Sequence, residues 1–241
     1  MKKAVAVFLD RDGTINEEVG YLDSFEKLKI FPEAFDAIRL INQSGMKAVV
    51  ISNQSGVARG YYDEAFVETV HARIQALLKE HGAWIDRFYY CPHHPTEGTG
   101  IYRTTCPCRK PEAGLLFLAS QEMGIDLSRS YMVGDMPKDI EAAGKAGAKG
   151  ILVQTGYGMN HPGLTKNGFA ANQKSFPLRR RPDVIMTHKK PLTSGGHDEV
   201  VSPSTKTFDS PLANHSSSVL PNYIARDILG AVTWIMKDRK K

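Results

Sequence analysis

The sequence predicts an α/β fold, a mostly parallel sheet with helices on both faces, and three observations predict it. Short apolar runs without polar alternation recur along the first 156 residues, as expected of strands buried on both sides. Segments of helical period lie between them, and that alternation implies right-handed crossovers and parallel pairing. Small polar and acidic residues stand where the runs end, the edge at which open α/β sheets bind ligands.

Ala4 to Leu9 is the first expected strand, and it runs into Asp10-Arg11-Asp12-Gly13-Thr14-Ile15-Asn16. Glu17 to Ile30 has mixed character and reads as a loop or small hairpin flap over the rim. Pro32 suits a first helical position, Ala34, Phe35, Ile38 and Ile41 follow at helical spacing, and Gly45 ends the pattern. Lys47 to Asn53 is the second strand, followed by a loop, Gln54 to Gly60, with two glycines and an arginine. A long amphipathic helix from Asp63 to His81 is closed by Gly82, and Ile85 to Tyr90 is the third strand. His71 and His81 fall within the helix pattern as surface or packing residues. Pro111 opens a helix through Met123, with Gly124 at its end. Ser130 to Asp135, Ile140 to Ala146 and Gly150 to Thr155 then read as strand, helix and strand.

From Gly156 to about Leu220 the pattern dissolves into Ser, Thr, Pro, Asn, His and Lys, with Pro182 to Met186 as the sole possible strand. Such length without periodicity suggests a low-order insertion. Tyr223 to Ala225 reads as an edge strand and Asp227 to Met236 as a helix. The expected organisation is a core over 1–158 with a cysteine loop at 91–108, an insertion over 159–220, and a strand and helix over 221–241 returning to the core.

Composition narrows the function classes. Among 241 residues, 41% are hydrophobic and 24% charged, and no run approaches the ~18 apolar residues of a membrane span. Met1-Lys2-Lys3 leads straight into a strand rather than a signal peptide, so a cytoplasmic protein with a small-molecule substrate and no membrane partner, and a monomer, is expected. The net charge of +5 is uneven: residues 1–156 hold 18 Lys and Arg against 20 Asp and Glu, whereas 157–220 carry +4 and 221–241 carry +3. A basic excess confined to the C-terminal part gives the acid-rich portion no support for nucleic-acid binding. Arg179-Arg180-Arg181 lacks interleaved aromatics and reads as a solvated run.

Asp10 and Asp12 alone would read as a strand followed by an Asp-rich turn. Four groups at the expected rim change that reading: Asp10 with Asp12, Ser52 with Asn53, Arg109 with Lys110, and Asp135 with Asp139. Each has a task on a phosphate ester. Asp10 would attack phosphorus and Asp12 would act as general acid and base. Asp10, the Asp12 backbone carbonyl and Asp135 would hold Mg²⁺, a hard cation that takes oxygen ligands. Ser52 and Lys110 would bind the transferring phosphoryl oxygens. Arg59 and Arg109 match a second, distal phosphate through bidentate guanidinium contacts, although Arg59 reads equally as a solvated loop residue.

All three cysteines lie in Cys91-Pro92-His93-His94 and Cys106-Pro107-Cys108. Cys91, His93, Cys106 and Cys108 make a complete tetrahedral shell for Zn²⁺, closed and therefore structural, with His94 as an alternative to His93. An odd, clustered set argues for metal rather than disulfides. The loop ends on Arg109 and Lys110, so the metal would fix two cations.

Asp10-Arg11-Asp12-Gly13-Thr14, Ser52-Asn53-Gln54-Ser55-Gly56, Lys110 and Gly134-Asp135 with Asp139 resemble, in order, the four motifs of the haloacid dehalogenase superfamily of phosphatases. Within it the chain is similar to the heptose bisphosphate phosphatases and their relatives, the histidinol phosphatases. The resemblance covers about residues 4 to 158 and implies a Rossmann-like core with a small zinc loop and no large cap domain. It implies Mg²⁺-dependent hydrolysis of the 7-phosphate of a heptose bisphosphate for lipopolysaccharide, with histidinol phosphate as the alternative substrate. It also implies substrate contacts at Glu18, Val19, Gly20 and Tyr21 in the flap and at Asn53, Gln54 and Ser55. Met136-Pro137 departs from the charged residue usual after the Gly-Asp pair.

Overall fold

The computed structural model describes residues 3–160 and 220–240. The expected insertion, the strand at Pro182 to Met186 and the triple arginine lie outside these described residues. Within them the strands are β1 (Ala6–Leu9), β2 (Lys47–Asn53), β3 (Arg87–Cys91), β4 (Tyr131–Gly134), β5 (Lys149–Val153) and β6 (Tyr223–Ala225). The helices are α1 (Pro32–Gln43), α2 (Glu64–Glu80), α3 (Gly114–Met123), α4 (Pro137–Ala146) and α5 (Ile228–Asp238).

The strands form one sheet in the order β3-β2-β1-β4-β5-β6, and every pairing is parallel. The chain winds outward from β1 to β3, then returns to β4 on the other side of β1. Strand order therefore reverses between β1 and β4, and the crevice beyond their carboxyl ends is where this topology places a ligand.

The absence of alternation in β1 is explained by a layer on each face. Val7 and Leu9 join the layer built with α1, α2 and α5, while Ala6 and Phe8 join the one built with α3 and α4. All four are fully buried, and burying a side chain such as Phe8 or Leu9 contributes about 1.5–3 kcal/mol. Asp63 and Asp227 cap α2 and α5 by accepting the N–H groups of Phe66 and Gly230, each at 2.8 Å. No helix among the described residues is long and apolar enough to cross a membrane.

Several element limits differ from the sequence reading, and those of β3, α3 and α4 have a local cause. β3 begins at Arg87 because Ile85 is paired, N–H and carbonyl, with the side-chain amide of Gln75 on α2; it ends one residue later, on Cys91. α3 begins at Gly114 rather than Pro111, because residues 109–114 turn back on themselves. Glu112 N–H donates to the Arg109 carbonyl at 2.8 Å and Gly114 N–H to the Pro107 carbonyl at 2.9 Å. α4 begins at Pro137, where proline's missing N–H costs nothing. The segment 17–30 is a loop whose base is pinned by an antiparallel bridge between Asn16 and Ile30, with one short turn at Phe25–Lys27.

His71 packs in the interior, 6% exposed and stacked on Phe88 with ring centroids 4.6 Å apart. Burial, helped by the Arg11 charge, pushes its pKa down to about 3. The folded state thus releases a proton that the unfolded chain keeps below pH 6.5, so stability is full above that value and falls as pH drops towards 3. His71→Phe is expected to remove about 1.4 kcal/mol per pH unit of that slope, read as urea midpoints between pH 6 and 4. An unchanged slope would place the acid sensitivity elsewhere.

Candidate active site

Strand pairing carries Asp10 to the rim: its N–H still donates to the Val133 carbonyl at 2.9 Å, one residue past the end of β1. Lys110 Nζ lies 2.8 Å from Asp10 Oδ1 and 2.7 Å from Asp139 Oδ1, and it donates to the Ile51 carbonyl at 2.7 Å. Three oxygen atoms thus surround the ammonium, which is fully buried. Burial works against that charge, but Asp10 and then Asp139 outweigh it and raise the pKa.

Asp135 completes the group, with carboxylate oxygens of Asp10, Asp135 and Asp139 all within 4.8 Å of one another. Three buried acids against one buried ammonium leave an excess of negative charge. Burial pushes Asp10 up despite Lys110, and burial with the charges of Asp10 and Asp139 holds Asp135 well above the usual carboxylate range. A cation relieves such crowding, and all-oxygen donors fit Mg²⁺. Asp139 is already engaged, through Oδ1 on Lys110 and through Oδ2, which accepts the Met136 N–H at 3.0 Å. Asp10 and Asp135 are therefore the side chains suited to hold the ion. Gly13, at φ +80°, lets the turn approach them: a Cβ there would lie 2.2 Å from Asp135 Oδ2.

Asp12 is held by a second network. Arg11, 1% exposed, donates from Nη2 to Asp12 Oδ1 and Oδ2 at 3.0 and 2.9 Å and to Gln54 Oε1 at 3.0 Å. Asn16 Nδ2 donates to Asp12 Oδ1 at 3.0 Å, and Gln54 Nε2 to Asp12 Oδ2 at 2.9 Å and Ser52 Oγ at 2.7 Å. Burial alone would raise the Asp12 pKa, but Arg11 and the two amides outweigh it and hold the carboxyl below its ordinary value. Gln54 Oε1 also accepts the Tyr62 hydroxyl at 3.0 Å, so this amide joins Ser52, Asp12, Arg11 and Tyr62.

Asn53 faces the chain rather than the crevice. Its side chain donates to the Lys110 carbonyl at 2.9 Å and accepts the Lys110 N–H at 3.0 Å, which fixes the backbone that carries the buried ammonium. Ser55, 9% exposed, turns its loop through a carbonyl that accepts the Arg59 N–H at 3.1 Å.

The cysteine loop follows directly from β3, whose last residue is Cys91. The Sγ atoms of Cys108 and Cys91, and of Cys108 and Cys106, are 3.1 Å apart; Cys91 and Cys106 are at 3.5 Å. His93 Nδ1 lies 3.3 Å from Cys108 Sγ and 3.6 Å from Cys91 Sγ. The cysteines form no disulfide. Three thiols and one imidazole nitrogen converging on a common point make a donor set that fits tetrahedral Zn²⁺. His94 points away, its Nδ1 accepting the N–H groups of Thr96 and Glu97 at 3.3 and 2.9 Å. Arg109 Nη1 donates to the His93 carbonyl at 3.0 Å, tying the residue beside Lys110 to the loop.

The flap meets the site at one side. Glu18 Oε1 accepts the Gly20 N–H at 2.6 Å, Val19 is exposed, and Tyr21 packs edge-on against Tyr61 at 4.6 Å. The Arg59 guanidinium lies 6.0 Å from the Tyr21 ring and 3.5 Å from Glu97 of the cysteine loop. Arg59 thus links the flap to the cysteine loop.

Sequence reading missed Arg11, Asn16 and Tyr62 as supports of Asp12. Arg11 looked like a spacer between two acids, whereas an arginine beside two buried carboxylates has charge to pair. It also stopped short of Tyr157, whose N–H donates to Asp135 Oδ2 at 2.8 Å.

Residues 107–172 match the HAD-hydrolase-like family model. The chain is 45% identical over 157 residues to D-glycero-D-manno-heptose-1,7-bisphosphate 7-phosphatase of Thermosynechococcus vestitus, covering 64% of this chain and 80% of that protein. It is 42% identical over 192 residues to D-glycero-beta-D-manno-heptose-1,7-bisphosphate 7-phosphatase of Escherichia coli, covering 79% and 98%. Its fold is similar to that of D,D-heptose 1,7-bisphosphate phosphatase from B. bronchiseptica, solved with magnesium and phosphate, at TM-score 0.67 and 23% identity over 97% of this chain and 99% of the other.

Proposed function

The chain belongs to the heptose-1,7-bisphosphate 7-phosphatase family of HAD-like hydrolases, and on that premise we propose that it is a Mg²⁺-dependent phosphatase that removes the 7-phosphate of D-glycero-D-manno-heptose 1,7-bisphosphate. The observation that carries the reading is the cluster of Asp10, Lys110, Asp139 and Asp135 in the crevice between β1 and β4, with Asp12 held beside it. We read the protein as a cytoplasmic monomer serving lipopolysaccharide heptose supply.

In this reading Asp10 attacks phosphorus. Its Oδ1 is held by Lys110 and by the Arg11 N–H at 2.8 Å, which leaves Oδ2 as the oxygen presented to the substrate. The new bond joins Oδ2 to phosphorus, and the bond from phosphorus to the sugar oxygen breaks. Asp12 protonates that departing oxygen. Being ionised at rest with its side chain 22% exposed, it takes up a proton from solvent before this step. Water then attacks the aspartyl phosphate, Asp12 receives its proton, and phosphate leaves Asp10. Ser52 and Lys110 bind the phosphoryl oxygens as charge develops on them. Asp10, Asp135 and the Asp12 carbonyl would hold Mg²⁺, which would supply neutralisation of the charge that builds up at the phosphoryl group.

Glu18, Val19, Gly20 and Tyr21 cover the sugar, and Arg59 and Arg109 bind the distal phosphate. Asn53 and Gln54 position Lys110 and Asp12, and Ser55 shapes their loop. With Mg²⁺ present, phosphate release from the heptose bisphosphate is expected to exceed that from histidinol phosphate by tenfold or more in kcat/KM, on the order expected for a site that pairs with a charged group one substrate lacks. The reverse preference would overturn the substrate assignment and leave the chemistry standing.

A further inference from the structure

We infer that Thr155-Gly156-Tyr157, at the carboxyl end of β5, is a positioning element that aims the Asp135 carboxylate at the cation. The inference rests on the Mg²⁺-dependent reading above and concerns residues outside the four motif segments.

Three contacts carry it. The Tyr157 N–H donates to Asp135 Oδ2 at 2.8 Å, which fixes one of the two oxygens of a carboxylate that lies within 4.8 Å of those of Asp10 and Asp139. Gly156, at φ +52°, passes so close that a Cβ would stand 2.3 Å from Asp135 Oδ2 and 2.6 Å from Gly13 Cα. Thr155 Oγ1 donates to the Gly13 carbonyl at 2.6 Å. One short segment thus grips both halves of the cation cradle, the Asp135 side chain and the turn that follows Asp10 and Asp12. Without such a grip, repulsion from Asp10 and Asp139 would favour swinging Asp135 outward. Groups that bond to a metal-binding side chain set its orientation, and their loss weakens metal binding by about 10–100-fold.

The test is calorimetric titration of the full chain with Mg²⁺ alone, together with melting of the metal-free protein. Tyr157→Pro removes the N–H at a position in the first turn of a short helix, where proline fits. Gly156→Ala adds the clashing Cβ. Both are expected to weaken the Mg²⁺ Kd by roughly tenfold or more, and Thr155→Val to weaken it less; the metal-free melting temperature stays close to wild type in Tyr157→Pro and Thr155→Val and falls in Gly156→Ala, whose Cβ meets the Gly13 backbone. Tyr157→Ala keeps the N–H and is expected to bind Mg²⁺ near wild-type affinity. Wild-type binding with an unchanged Kd in Tyr157→Pro overturns the inference alone, as does equal weakening in Tyr157→Ala; should Gly156→Ala not fold, this pair decides. A wild-type chain that binds no Mg²⁺ overturns the magnesium reading and the inference with it.

Discussion

Replacing Asp10 with Asn is expected to lower kcat by on the order of 10⁴-fold or more, the scale seen when a covalent nucleophile is removed. An amide of the same shape still accepts a hydrogen bond from Lys110, but it cannot form the phosphoenzyme. The fold should not suffer. Burial pushes the Asp10 pKa up, so its charged form opposes folding, and a neutral side chain relieves crowding with Asp135 and Asp139. Melting temperature is therefore expected to hold or rise. Lys110 keeps Asp139 at 2.7 Å, so its charge does not become an unpaired buried cation, the costly outcome of breaking such a group. The measurement is phosphate release from the heptose bisphosphate beside a thermal melt. Turnover within tenfold of wild type would refute the covalent route, because a bound water attacking directly would not need this carboxylate.

How far the fold was legible depended on whether each segment's own residues decide its structure. β1 was legible because both its faces are buried, which leaves an unbroken apolar run. α2 was legible because Asp63 is a capping residue and the helix is long enough for its period to show. The start of β3 was not, because a tertiary partner, the Gln75 amide, takes Ile85 out of the ladder. The start of α3 was not, because Pro111 is also a natural turn residue and the backbone of Lys110 before it is tied to Asn53. In the site, the acids announced themselves by type and place at strand ends. Their supports did not: Arg11, Asn16 and Tyr62 are ordinary residues whose work appears only once the fold brings Asp12 among them. Asn53 and Gln54 were singled out for substrate, yet their amides are occupied by Lys110, Arg11, Asp12 and Ser52. The segment after β5 was hidden for a further reason, since its contribution comes from a backbone N–H and a missing Cβ.

Stripping Zn²⁺ from the cysteine loop is expected to lower kcat/KM by about 10²-fold, the cost of misplacing catalytic groups by about 1 Å. Four protein ligands close the zinc shell and leave no open position for substrate, so the effect must travel through the chain. Arg109 donates to the His93 carbonyl at 3.0 Å, and Lys110 follows it into the buried site. With the ion gone, three sulfur atoms 3.1–3.5 Å apart and the His93 nitrogen have nothing drawing them to a common point. The shell opens and the His93 carbonyl shifts. Asn53 still grips the Lys110 backbone from β2, so the loss should fall more on Arg109 and the distal phosphate than on the buried ammonium. KM is accordingly expected to rise more than kcat falls. The assay needs a reductant, because thiols this close would otherwise pair, and a metal analysis showing that zinc is gone while circular dichroism shows the sheet intact. Returning Zn²⁺ should restore both constants, and Cys108→Ser should reproduce the loss without chelator. Unchanged kinetics in a verified zinc-free chain would mean that β2, through Asn53, alone places the two cations.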